Sequence, residues 1–90
     1  MKFFITGSSG FIGFHLSKKL LDKGHNVHGF DSMNNYYDVK LKKARYKILN
    51  KYKKFSFTKG KLENRKVLGN SILKSKPGII IHLAAQAGVR

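Results

Sequence analysis

Four positions in the first 31 residues have the residue types and spacing to hold an anion. Glycines recur at every third position in "TGSSGFIG", as Gly7, Gly10 and Gly13, and a lone carboxylate, Asp31, follows after an intervening apolar stretch. Glycine lets a phosphate oxygen approach the main chain where a Cβ would block it, and it accepts the positive φ that a sharp turn requires. If such a turn opens a helix, the first N–H groups of that helix lack intrahelical acceptors and lie at the positive end of its dipole. The site then suits a pyrophosphate. The competing reading is a plain tight turn, with Gly13 serving only a close helix–strand contact.

The elements around these residues favour the anion cradle. "KFFIT" is a short apolar run suited to a buried strand, and "FIGFHLSKKLLDKG" places Ile12, Leu16, Leu20 and Leu21 at helical spacing with Gly24 as its C-cap. "NVHGFD", from Asn26 to Asp31, reads as a second strand. A lysine-rich helix is expected from about Asp38, capped by that carboxylate, with Lys40, Lys43, Lys47, Lys51 and Lys54 on a solvated face and Leu41, Ala44, Ile48 and Tyr52 as the opposing stripe. "FSFTKG" alternates as a third strand, "NRKVLGNSILKSK" is a short helix ended by Pro77 and Gly78, and "IIIHLAA" is a fourth strand, apolar throughout. Strand and helix alternate without a linker or repeat. The fold class expected is α/β, the N-terminal part of a Rossmann doubly wound parallel sheet, βαβαβαβ in the order 3-2-1-4.

In that frame the glycine turn and an acidic residue ending the second strand make a dinucleotide-binding half. Asp31 can accept hydrogen bonds from the adenosine ribose hydroxyls and opposes a 2′-phosphate, so NAD is expected over NADP. The bland alternative for Asp31 is a loop-capping aspartate, and nearby Lys40 leaves the preference partly open.

Composition narrows the remaining classes. Ninety residues form one domain at most, with a modest core. There is no cysteine, hence neither a disulfide framework nor a thiolate metal site, and His15, His25, His28 and His82 lack ligand spacing, so no metal is expected. The first strand begins at Lys2 and no apolar run reaches membrane-spanning length, which makes a cytoplasmic protein without a membrane partner the expectation. The balance of 19 Lys+Arg against 4 Asp+Glu, a net charge of +15, raises a polyanion as partner. Nearly all of that charge is lysine rather than arginine, part of it on the solvated helical face, and lysine is the weaker reader of base edges, so specific nucleic-acid binding is not expected.

"TGSSGFIG" resembles the turn of the extended short-chain dehydrogenase/reductases, the nucleotide-sugar epimerases and dehydratases. "DSMNNYYDVKLKKARYKIL" and "HLAAQAGVR" are most similar to the branch that acts on UDP-glucuronate. The resemblance implies that Gly7, Gly10, Phe11 and Ile12, with Gly13 behind them, hold the NAD pyrophosphate, and that Asp31, with Asn34 close by, holds the adenosine ribose. It implies further that Ala84, Ala85 and Gln86 line the nicotinamide-side ribose and that Arg90 faces the sugar nucleotide, UDP-glucuronate or UDP-galacturonate. The activity implied is C4 epimerisation, in which bound NAD takes a hydride from the sugar and returns it to the other face.

Two departures stand out. Where the family carries an aspartate after the third strand to meet the adenine amino group, "GKL" puts Lys61 beside Leu62, a donor facing a donor. The family's acid–base residues, a Ser/Thr and a Tyr-x-x-x-Lys pair, lie beyond the fourth strand. Tyr36 and Lys40 share that spacing by coincidence, between the second and third strands, and no catalytic residue is expected in residues 1–90. The reading is an incomplete NAD-binding domain, inactive alone, able to self-associate through an exposed fourth strand. Its alternatives are a non-catalytic half-Rossmann module that binds a nucleotide or partner, and a basic nucleic-acid binder.

Overall fold

The computed structural model describes residues 1–33 and 39–83. Seven elements alternate along the chain: β1 (Lys2–Thr6), α1 (Phe11–Asp22), β2 (Asn26–Asp31), α2 (Val39–Leu49), β3 (Phe55–Lys59), α3 (Arg65–Ser75) and β4 (Ile79–His82). The strands form one parallel sheet in the order β3-β2-β1-β4. This is the doubly wound arrangement expected from the alternation of apolar runs.

Register sorts the side chains into two layers. Phe3 pairs with Val27 and Val27 with Phe55, so these positions share one face, while Phe4, His28 and Ser56 share the other. On the first face Ile5, Val27 and Phe55 pack with Phe14 and Leu21 of α1 and Leu49 of α2 as one buried cluster. On the second, Phe4 and Phe30 are buried, and Ser71 of α3 bonds to His28 and Thr58. At the sheet's edge, Ile79 and Ile80 of β4 are 39% and 53% exposed. Regular strand ends at His82, short of the expected Ala85, and Ala84 and Ala85 lie outside the described residues.

The lysine-rich helix packs differently from its expected stripe. Leu41 and Ile48 are 47% and 40% exposed and Ala44 is also exposed, whereas Leu49 is fully buried and Lys42, Arg45 and Tyr46 turn inward with it. The helix stops at Leu49, which removes Tyr52, Lys51 and Lys54 from it, and the Tyr46 ring lies 4.8 Å from Phe57. One buried leucine and one aromatic contact thus set the rotation of the helix, and two cations come inward with them. Lys40, Lys43 and Lys47 do lie on the exposed side. The expected cap, Asp38, is outside the described residues.

Helix ends follow local chemistry elsewhere. Asn64 caps α3 by accepting the Val67 N–H at 3.2 Å, and Gly24 follows α1 at φ +91°, a left-handed position suited to glycine. No helix among the described residues is long and apolar enough to cross a membrane.

Candidate functional site

The turn between β1 and α1 is fixed by main-chain bonds and by what glycine permits. Gly7 sits at φ +76° and donates its N–H to Phe30 O at 2.7 Å, tying the turn to β2, and Gly10 N–H donates back to Gly7 O at 3.1 Å. A Cβ on Gly13 would stand 1.9 Å from Gly7 O, so only glycine lets the helix start this close to the strand. The close helix–strand contact at Gly13 is therefore real, and it coexists with an open helix end.

That end has the character of an anion site. Gly10 is the N-cap with no side-chain cap, and no acidic residue occupies the first turn. Phe14 N–H bonds to Gly10 O, while among the described residues no acceptor meets the N–H groups of Phe11, Ile12 and Gly13. Phe11 and Ile12 are 66% and 65% exposed, which leaves the start of the helix open, whereas Gly13 behind them is buried. Among the described residues the buried hydroxyls of Ser8 and Ser9 also lack a hydrogen-bond partner. Donors without acceptors, at the positive end of a helix, fit a dinucleotide pyrophosphate.

Asp31 is joined to this turn. Its carboxylate is 3% exposed; Oδ2 accepts the Ser9 N–H at 3.0 Å, and Oδ1 accepts the Met33 N–H at 2.8 Å and the Lys42 ammonium at 3.0 Å. Charge-assisted bonds from main chain and ammonium compensate its burial. The Met33 bond shows that Asp31 does cap its own loop, but the Ser9 bond reaches across to the next strand's turn, which a loop cap alone does not require. Arg45 completes the cluster: its Nη1 donates to Ser9 O at 3.2 Å, and its guanidinium lies 5.8 Å from the Phe11 ring centroid.

Sequence reasoning had placed Gly7, Gly10, Phe11, Ile12, Gly13 and Asp31 together, and the structure unites them. Lys61 and Leu62 follow β3, where Gly60 N–H bonds to Asp31 O at 3.1 Å; Lys61 is exposed and Leu62 half-buried. Asn34, Tyr36, Ala84, Ala85, Gln86 and Arg90 lie outside the described residues. Lys42, Arg45 and Ser9 were missed. The first two share helical spacing with Tyr46 and Leu49, a signal obscured by the many lysines around them. Gly29 was missed as well: a Cβ there would meet Ser8 Oγ at 2.5 Å, so a glycine inside a strand marks where the turn lies against β2. Thr6 closes the other side, with Oγ1 bonded to His82 Nδ1 at 2.9 Å and accepting the Leu83 N–H at 3.0 Å.

The strand order, the glycine turn and the acid closing β2 define the first half of a doubly wound dinucleotide-binding fold. More narrowly, the chain belongs to the GDP-mannose 4,6 dehydratase family, whose model matches residues 4–90. It is 51% identical over its whole length to a "Probable UDP-glucuronate 4-epimerase" of Rhizobium meliloti, covering 26% of that protein, and 51% identical to the Staphylococcus aureus protein CapI, covering 27%. Among solved structures, the UDP-glucuronic acid 4-epimerase of Bacillus cereus in complex with UDP-glucuronic acid and NAD superposes with a TM-score of 0.84 at 32% identity, covering all of this chain and 28% of that one. The chain spans about a quarter of the length of the curated relatives it matches.

Proposed function

We propose that this chain is the NAD-binding N-terminal portion of a UDP-glucuronate 4-epimerase. The observation that carries the reading is the bond from Ser9 N–H to Asp31 Oδ2, which locks the ribose-binding acid to the pyrophosphate turn. The N–H groups of Phe11 and Ile12 hold the pyrophosphate, aided by Gly7, Gly10 and Gly13, and Asp31 with Asn34 holds the adenosine ribose. Ala84, Ala85 and Gln86 line the nicotinamide ribose, and Arg90 meets the nucleotide sugar. Lys61 and Leu62 border the adenine, which Lys61 holds less well than the family's aspartate does. Bound NAD supplies the hydride acceptor and donor for inversion at C4 of the sugar. The chain's own part is to bind and orient that cofactor. The proposal includes a cytoplasmic setting and self-association through the exposed edge of β4, whose main-chain groups can template a further strand.

Calorimetric titration with NAD tests it. Saturable binding is expected, and Gly10→Val is expected to weaken it at least about tenfold, because a branched side chain enters the cradle, with the circular-dichroism spectrum retained. Unchanged affinity in the folded variant, or no binding by the parent chain, overturns the reading.

A further inference from the structure

The rotation of α2 leaves an outward face that mixes cations with aliphatic side chains. Leu41, Ala44 and Ile48 share one side of the helix, and Leu41 and Ile48 are 47% and 40% exposed. Lys43 and Lys47 run alongside that stripe, and Lys51 and Lys53 continue past the end of the helix, all four exposed. Residues 39–54 hold lysine at seven positions and no acid, so the face lacks the i,i+4 carboxylates that balance an ordinary solvated lysine helix. Among the described residues no ion pair reaches Lys43, Lys47, Lys51 or Lys53. Asp22 of α1 is already met by Lys18 Nζ at 3.0 Å and by the Tyr52 hydroxyl at 2.5 Å. Lys54 Nζ donates to Gly24 O at 2.9 Å, and with the Tyr52 bond it ties the turn carrying Lys51 and Lys53 to α1. A positive surface without local counter-charge is thus held in place by the fold.

We infer that this face of α2 is a peripheral docking surface for an anionic lipid bilayer: the lysines meet the headgroups while Leu41 and Ile48 enter the acyl boundary. Lysine beside exposed aliphatic side chains on one helix face is what an interfacial helix requires, and each lysine near an anionic surface adds attraction. Two other occupants fit less well. A nucleic-acid backbone offers nothing to Leu41 and Ile48, and the one arginine of the helix, Arg45, is bonded inward to Ser9 O. A second copy of the chain would set lysine against lysine. A surface contact of this kind needs no membrane-spanning segment, so the expectation of no membrane partner is revised to a peripheral one. None of Leu41, Lys43, Lys47, Ile48, Lys51 and Lys53 belongs to the glycine turn or the Asp31 cluster, so the docking surface stands independently of the cofactor reading.

Co-sedimentation with vesicles tests it, using phosphatidylcholine alone and an equal mixture of phosphatidylcholine and phosphatidylglycerol. The parent chain is expected to partition onto the mixed vesicles at least about tenfold more strongly than onto phosphatidylcholine. Lys43→Gln/Lys47→Gln should lower that partitioning at least about tenfold, and Leu41→Ser/Ile48→Ser at least about fivefold. All four positions are exposed, so the circular-dichroism spectrum and the NAD affinity should stay as in the parent. The chain has no tryptophan, so Ile48→Trp reports directly: its emission should shift to the blue on mixed vesicles and not on phosphatidylcholine. That variant decides the matter if either double variant fails to fold. Equal partitioning onto the two vesicle types, no partitioning at all, or an unshifted Ile48→Trp emission overturns the inference. So does partitioning that ignores the serine substitutions while single-stranded RNA binds equally well, since the face would then be a general polyanion site. Loss of NAD binding with vesicle binding intact overturns the cofactor reading alone.

Discussion

The sheet face under α1 and α2 and the face under α3 are made of different materials. Under α1 and α2, Ile5, Val27, Phe55, Phe14, Leu21 and Leu49 are packed together, with glycines at positions 13 and 29 where main chain meets main chain or a serine. Under α3, between the buried rings of Phe4 and Phe30 and the helix, lies a polar network. His28 Nδ1 meets Ser56 Oγ at 2.6 Å, its Nε2 meets Thr58 Oγ1 at 2.7 Å and Ser71 Oγ at 3.0 Å, and Ser71 Oγ donates to Thr58 Oγ1 at 2.8 Å. Each large apolar side chain that is fully buried contributes roughly 1.5–3 kcal/mol, and each neutral hydrogen bond a net of about 0.5–1.5 kcal/mol. The first face therefore dominates stability, and it is the face whose helices carry the glycine turn, Lys42 and Arg45. A rigid scaffold lies under the site, and a weaker, directional attachment lies away from it.

The sharpest way to break the first face is Gly13→Val. Its Cβ would fall 1.9 Å from Gly7 O, a main-chain atom that cannot step aside without moving β1 or α1. A loss of at least about 3 kcal/mol is expected, enough to abolish the cooperative thermal transition of a small domain. A transition near the parent's midpoint would show that the turn can relax, and that the face is less rigid than its packing implies.

Next in size is Leu49→Ala, which opens a cavity at a fully buried position shared by α2 and the sheet. About 2–5 kcal/mol is expected from denaturant titration. Ser71→Ala sharpens the contrast from the other side. It removes the hydroxyl linking α3 to His28 and Thr58 and is expected to cost about 1–2 kcal/mol. Amide exchange should quicken in α3 ahead of α1, as expected of the less stable unit. Equal acceleration in both helices would mean that the two faces open together.

The same contrast explains what was legible in the sequence. Element order, strand order and the glycine turn follow from apolar runs, helical spacing and glycine placement, all local signals. The rotation of α2 is not local. Leu41, Ala44 and Ile48 form a plausible apolar stripe, but burial of Leu49 in the cluster that also holds Ile5 and Phe55, residues distant in sequence, decides the matter. Lys42 and Arg45 stayed hidden for the same reason, since a lysine among many lysines becomes meaningful only when a buried carboxylate is found 3.0 Å away. The polar network under α3 was hidden too. His28 shows only an absence of ligand spacing in the sequence, and its partners come from a neighbouring strand and a helix far along the chain.

The smallest expected effect concerns that histidine and distinguishes the faces by pH. His28 is half-buried, and burial, followed by the positive charge of Lys2, holds its imidazole below the ordinary value of 6.5. The unfolded chain therefore takes up a proton at a higher pH than the native one does. Below about 6.5 the unfolded state gains relative to the native, and stability falls until the pH has passed the lower native value; above 6.5 this contribution is fully present. Protonation also changes the bonding, because a neutral ring accepts at one nitrogen whereas an imidazolium only donates, and one of the hydroxyls around it must turn its lone pairs inward. Acidification should accordingly loosen α3 before the cluster containing Leu49. The expected result is a decline in thermal midpoint on acidification through this range, reduced in His28→Gln, with exchange quickening first at α3 amides. A His28→Gln profile as steep as the parent's would assign the acid sensitivity to another group and leave the α3 network with no part in it.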